Sequence, residues 1–511
     1  MDERKRRNSR NASDRNIKNR GSRRRRSSVI KLALPLLVLI VILGIIVAVT
    51  KAIHNKDEGI IIGKDNDTGP SSLNVAGKDK ETTVEASVNI DSKEPQEVDK
   101  TQDMKTTLIE ETDRLAASYD YDTAIDKIKA FSGYESDKTL TDKISEYEAT
   151  KASCVEVDLA QVPHIFYHTL TVDPIKCFSN QDTNKQAVGN NQWMTTIDEF
   201  NKITQTMYDK GYVIISLHDL VDQTTGENGD AIFAEAKIML PPGKRAVVLS
   251  LDDLSYYHSY DGYGFASKLV LDADGKPKCE YINDSGIVEV GDFDVVPLMD
   301  KFIEEHPDAS YRGAKGIIAL TGYNGILGYR TDITYETVPT DISADKAAWL
   351  KAHPDFNLEE ERAEAKKVAD AMKEDGWEFA SHTWGHLKVQ QASLERIQAD
   401  TQKWKENVEP LVGPTDTIIF AHGEDLGPWG DYDPNDSKFQ YLKSQGYNFF
   451  CNVDSTQYSL HINEKYVRQG RRNLDGYRIY FNAIGEMDSV SDLFDAKEVL
   501  DPLRPPVERL T

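Results

Sequence analysis

Ala246-Val247-Val248-Leu249-Ser250-Leu251-Asp252-Asp253 is the stretch on which the fold turns. Six apolar or small residues run together and stop at two carboxylates. A near-continuous apolar run of this length is the pattern of a strand buried on both faces, as in a parallel sheet covered by helices. Trp377-Glu378-Phe379-Ala380 is a second short run, and it stops at Ser381-His382-Thr383-Trp384-Gly385-His386. In parallel sheets reactive side chains gather at the C-terminal ends of strands. Both runs therefore deliver their polar residues to one end of the same sheet.

Working outward, further strand-like runs fall at 162–167, 213–217, 316–320, 417–421 and 448–453. Stretches with helical apolar spacing lie between them at 197–210, 295–305, 359–374 and 394–408; Gly211 and Gly376 follow the first and third. Alternation of this kind predicts an α/β domain over 160–500, built on a parallel sheet that is open or closed into a barrel.

The two strand ends carry the chemistry. His382 and His386 are four residues apart, a spacing that puts both imidazoles on one face of a helical turn and lets them share one ion. A carboxylate from the Asp252-Asp253 pair completes a three-ligand site with open positions for water and substrate. The metal would polarise a carbonyl and lower the pKa of its water, while the second carboxylate takes a proton.

These motifs resemble those of the polysaccharide deacetylases (NodB-homology domains, carbohydrate esterase family 4). The opening Val162-Pro163-His164-Ile165-Phe166-Tyr167-His168 is similar to the family's first strand, and Lys210-Gly211-Tyr212 with Ile215-Ser216-Leu217 to its next unit. Leu249-Ser250-Leu251-Asp252-Asp253 resembles the Thr-Phe-Asp-Asp motif, and residues 381–386 resemble Ser-His-Ser/Thr-x-x-His. The resemblance implies a distorted (β/α) barrel, Asp252 as catalytic base, and Asp253, His382 and His386 as ligands of a divalent ion, Zn²⁺ or Co²⁺. It implies a hydrolase of carbon–nitrogen (not peptide) bonds.

The chain also departs from the family pattern. Where Arg-x-Pro-Tyr/Phe-Gly belongs it reads Phe420-Ala421-His422-Gly423-Glu424, without the Arg that orients the base. His422 stands where an aromatic lines the substrate groove and is a candidate substrate-binding residue. The closing Leu-x-His motif has no match. Arg468, Arg471 and Arg472 could replace the missing Arg from another strand, with Arg472 as the candidate, or form a solvated basic turn. About 130 residues separate Asp253 from His382, more than a family barrel needs. The excess reads as two Tyr- and Trp-bearing insertions, 256–293 and 321–355, expected to shape a glycan groove.

The N-terminal part is of another kind. Residues 1–31 hold 13 Lys and Arg against 3 Asp and Glu, leaving 48 against 82 in the rest of a chain of net charge −24. So acidic a body excludes nucleic acid as its partner. Residues 32–49 are 18 apolar, Pro or Gly residues in a row, about 27 Å of helix and enough to cross the hydrocarbon core. The basic flank places residues 1–31 in the cytoplasm and the C-terminal part outside. The expected organisation is a basic tail (1–31), a transmembrane helix (32–50), a disordered linker (51–104), a short helical stalk (105–155) and the catalytic domain (160–500). Cys154, Cys177, Cys279 and Cys451 have no metal-knuckle spacing, and their spacing assigns no pairs.

The sequence thus points to a membrane-anchored, metal-dependent deacetylase of a cell-surface polysaccharide such as peptidoglycan, in a cell envelope. The alternative is a catalytically weak glycan-binding protein on the same scaffold, suggested by the altered third and missing closing motifs.

Overall fold

The computed structural model describes residues 100–336, 343–454 and 458–510. The basic tail, the apolar run at 32–49 and the linker up to residue 99 lie outside the described residues. Among the described residues no helix is long and apolar enough to cross a membrane.

Three helices come first: α1 (Lys100–Ala117), α2 (Tyr121–Ala130) and α3 (Lys138–Ser153). The barrel strands follow as β1 (His164–Tyr167), β2 (Tyr212–Ile215), β3 (Arg245–Asp252), β4 (Gly316–Leu320), β5 (Trp377–Ser381), β6 (Thr417–Ile419), β7 (Phe449–Val453), β8 (Leu460–Asn463) and β9 (Tyr466–Asn473). Seven of them close a parallel ring in the order β4-β5-β6-β7-β9-β1-β3, with β3 pairing back to β4. The ring closes on β3 through a shared edge. β4 pairs only the second half of β3, over Ser250–Asp252, whereas β2 occupies the first half from Arg245 to Val248. On β9, antiparallel β8 and parallel β1 divide the strand in the same way.

Period-two alternation sorts each strand into an inner and an outer face. Val247, Leu249 and Leu251 point outward, into a core shared with Phe200 and Ile203 of α4 (Ile197–Asp209), Val295 and Met299 of α5 (Val295–Glu305), and Val368 and Met372 of α7 (Leu358–Glu374); α6 is Ala344–Ala352. Each such side chain contributes about 1.5–3 kcal/mol on burial. Ala246 and Val248 point inward beside Ile317, Ala319, Ala380, Ile419, Cys451 and Val467. Above that apolar layer the interior turns polar: the His164 imidazole bonds Gln469 Oε1 (3.1 Å) and Ser250 Oγ (2.9 Å). The inner face thus climbs from aliphatic to polar to ionisable, toward the end where the strands finish.

The other end is closed. Tyr119, Ile125, Ile128, Leu140, Ile144 and Tyr147 of the helical segment share one core with Val213, Ile215, Leu217 and Leu220. The Tyr119 hydroxyl donates to the Asp308 carbonyl (2.7 Å), and the Arg312 amide donates to Ser118 (2.8 Å). The segment read as a stalk is packed against the barrel along this core.

Candidate active site

Three strand ends converge at the open end of the barrel, and each bends through a left-handed backbone conformation. Asp253 after β3 has φ 59°, Thr383 and His386 after β5 have φ 61° and 52°, and His422 after β6 has φ 57°. L-residues adopt this region at a cost of about 1–2 kcal/mol each, and such strain concentrates at functional sites when the surroundings impose it. Here the restraints are visible. The amides of Trp384 and Gly385 donate to the two oxygens of Asp400 (2.7 and 2.8 Å), on α8 (Leu394–Asn407). Leu387 N donates to Thr383 Oγ1 (2.7 Å), and the Trp384 indole donates to Asp332 (3.0 Å).

This turn brings one donor atom each of Asp253, His382 and His386 within 4.8 Å of one another. The His386 Nε2 to Asp253 Oδ2 distance is 3.5 Å. His382 Nδ1 lies 2.7 Å from the Ile419 carbonyl. A carbonyl only accepts, so that nitrogen carries the proton and Nε2 keeps its lone pair. Burial lowers the His382 pKa to about 4, in spite of the nearby Asp252 and Asp253. The imidazole is therefore neutral near pH 7, the form that ligates metals. Two imidazole nitrogens and a carboxylate oxygen suit a borderline divalent ion such as Zn²⁺ or Co²⁺.

Beside the trio, Asp252 is held by Arg471. Nη1 donates to Oδ1 (2.7 Å) and Nη2 to Oδ2 (2.9 Å), with both residues buried. Burial alone would push this carboxyl up, but the Arg471 guanidinium, aided by His382, outweighs it and holds Asp252 well below the usual carboxylate range. Asp253 is likewise lowered against its burial, by His386 and His382. The Tyr257 hydroxyl donates to Asp253 Oδ1 (2.6 Å).

The family model "Polysaccharide deacetylase" matches residues 348–450, a span that carries His382, His386 and His422. Over residues 348–450 the chain is similar to the polysaccharide deacetylases. The Asp252-Asp253 pair lies upstream of the matched span, and the barrel brings it to the two histidines. A search of curated proteins finds no match. Among solved structures, the Streptococcus pyogenes deacetylase PplD in complex with acetate matches at 15% identity, over 64% of this chain and 95% of that one, with a TM-score of 0.33.

The barrel opens to solvent through a cleft of about 510 Å³ lined by Asp252, Asp253, His382, His386 and His422, together with Phe166, His168, Trp193, Lys388, Gly423, Val453, Asn473 and Arg478. His422 packs against His386 with ring centroids 4.2 Å apart. None of the lining residues comes from 256–293 or 321–355, which corrects the expectation that these insertions form the groove. The first builds an antiparallel sheet of Lys268–Leu271, Pro277–Ile282 and Val288–Gly291. The second braces the turn that carries His382 and His386: Asp332 accepts from Trp384, and the amides of Gly322 and Tyr323 donate to the Trp384 carbonyl (2.9 and 3.1 Å).

Arg472 is not in the cleft. Its guanidinium makes a bidentate pair with Asp492 (2.7 Å to each oxygen) on the outer face of β9. Arg468 also faces outward, to Asp425 (2.6 Å) and the ring of Tyr432. The stretch is a buried strand rather than a solvated turn. The signal was available: Val467, Gln469, Arg471 and Asn473 form one period-two face, and Arg471 alone of the three arginines lies on it. His168 carries the same kind of signal, since it continues the inward series His164-Phe166-His168. Trp193 and Tyr257 had no local signal.

Proposed function

We propose that this protein is a metal-dependent carbohydrate deacetylase that removes acetyl groups from a surface polysaccharide such as peptidoglycan, acting on the carbon–nitrogen bond of an N-acetyl sugar. The observation that carries the reading is the bidentate Arg471–Asp252 pair beside Asp253, His382 and His386. A binding module has no use for an ionised carboxylate fixed next to three ligands. The pair also answers one of the two reasons for the weak-binder alternative, since Arg471 supplies a guanidinium of the kind absent from the third motif.

Asp253, His382 and His386 would hold the ion, which would supply Lewis-acid polarisation of the acetyl carbonyl and acidification of a water. Asp252 is oriented by Arg471 with both oxygens fixed, so it takes the water's proton without rearranging. The leaving amine needs a proton in return. His168 lies in the same cleft, close enough to both carboxylates to be felt electrostatically by each, and is assigned that donation. His422 and the half-exposed Trp193 flank the cleft as sugar contacts. Water is added across the C–N bond, and acetate and the free amine leave.

Anchoring by residues 32–50, with the N-terminus cytoplasmic and the barrel outside, is supported by the apolar run and its basic flank.

The test is acetate release from acetylated glycan oligomers by the full-length chain, with and without added Zn²⁺ or Co²⁺. Metal-dependent release that is lost in Asp252→Asn is the expected result. Equal background release by wild type and Asp252→Asn overturns the proposal.

A further inference from the structure

Tyr257 touches the site without lining the cleft. Its hydroxyl is 2.6 Å from Asp253 Oδ1 and 2.6 Å from Thr321 Oγ1, and the residue is buried. A carboxylate can only accept, so Tyr257 donates to Asp253, and Thr321 must donate to Tyr257. Ser255 Oγ lies a further 3.3 Å from Thr321 Oγ1. The result is a hydrogen-bond chain that ends on one oxygen of Asp253. The other oxygen, Oδ2, is the one that faces His386 Nε2 at 3.5 Å, a separation suited to two donors each about 2.0–2.2 Å from a shared ion.

The ring is held from several sides. It stacks on Tyr323, with centroids 5.1 Å apart and planes at 18°. Tyr256, at φ 47°, turns the chain so that Tyr257 faces back to Asp253, and Arg330 fixes that bend through the carbonyls of Ser255 (3.2 Å) and Tyr256 (2.9 Å). Such a restrained donor cannot follow a carboxylate that rotates.

We infer that Tyr257 is a positioning residue that confines Asp253 to ligation through Oδ2 alone. It rests on the metal reading of Asp253, His382 and His386. Monodentate ligation keeps coordination positions free for the water and the acetyl carbonyl. With Oδ1 released, the carboxylate is able to chelate the ion and fill one of them.

The test uses the metal-free full-length chain titrated with Co²⁺, which reports coordination through its visible absorption and affinity through chelator competition. Wild type is expected to bind one Co²⁺ with a low-coordinate spectrum. Tyr257→Phe keeps the ring and loses only the hydroxyl; it is expected to weaken Co²⁺ about 10–100-fold, the usual scale for an outer-shell partner, and to give a weaker, higher-coordinate spectrum. Thr321→Val removes the hydroxyl's other partner and is expected to keep the wild-type spectrum. Circular dichroism of the apo variants establishes that they are folded. A Tyr257→Phe spectrum that superimposes on wild type, with affinity within twofold, overturns this inference while leaving the metal site standing. The same spectral change in Thr321→Val also overturns it, because the effect then belongs to the network and not to the bond on Asp253. A wild type that binds no Co²⁺ overturns the metal reading itself, and the inference with it.

Discussion

Both ends of the barrel place a histidine among carboxylates, and the two arrangements have opposite consequences. At the closed end, His218 follows β2 and is clamped by Glu378 at Nδ1 (2.8 Å) and Asp416 at Nε2 (3.0 Å). Burial alone would lower its pKa, but the two hydrogen-bonded carboxylates outweigh burial and hold it at about 10. With both nitrogens occupied, it is an imidazolium that cannot ligate a metal. At the open end, His382 gives one nitrogen to a backbone carbonyl, keeps the other free, and sits near pKa 4. The residue types are the same; what differs is whether the second nitrogen has a partner. Acceptors on both ring nitrogens make a structural clamp, whereas a single acceptor, carbonyl or carboxylate, leaves the other nitrogen available to a metal.

That contrast is open to attack, beginning at the open end. Asp252→Asn is expected to lower kcat/KM by about 10²–10⁴, the usual range for a general base, with metal content unchanged. Arg471→Met strands a buried carboxylate and should destabilise the fold by about 3–5 kcal/mol, measured by chemical denaturation. Arg471→Lys keeps the charge but loses the bidentate geometry; the acid limb of its pH–rate profile should move to higher pH, because Asp252 is no longer held down as firmly.

The pH dependence of metal-free stability separates the two ends by sign. His382 titrates near 4 when folded against an ordinary 6.5, so the unfolded chain binds the extra proton and stability falls as pH drops from about 6.5 to 4. The difference amounts to about 3 kcal/mol, and His382→Gln should remove that slope. His218 runs the other way: its contribution is complete below 6.5 and is lost as pH rises through about 10. His218→Gln should flatten the alkaline limb alone and leave acetate release intact. Arg472→Ala is the smallest change, a modest loss of stability from the Asp492 pair with unaltered kcat.

The β/α alternation, the two strand-end motifs and the place of Asp252, Asp253, His382, His386 and His422 at one end were legible because each depends on local periodicity. The arginine was half legible. Three candidates lay on one strand, and the face of β9 to which Val467 belongs decides for Arg471 over Arg472. The role of the insertions was not legible, since Asp332 and Tyr323 reach Trp384 across more than 50 residues of sequence. Tyr257 was hidden for a related reason. It lies only four residues after Asp253, but the strained Tyr256 is what turns its hydroxyl back toward the carboxylate.

Metal content per chain, determined by plasma mass spectrometry after equilibration with Zn²⁺ and gel filtration, bears most directly on the difference between the two ends. One equivalent in wild type and in His218→Gln, with almost none in the His382→Ala/His386→Ala double variant, is the predicted result. Retention of a full equivalent by the double variant would contradict the assignment of the open end as the metal centre.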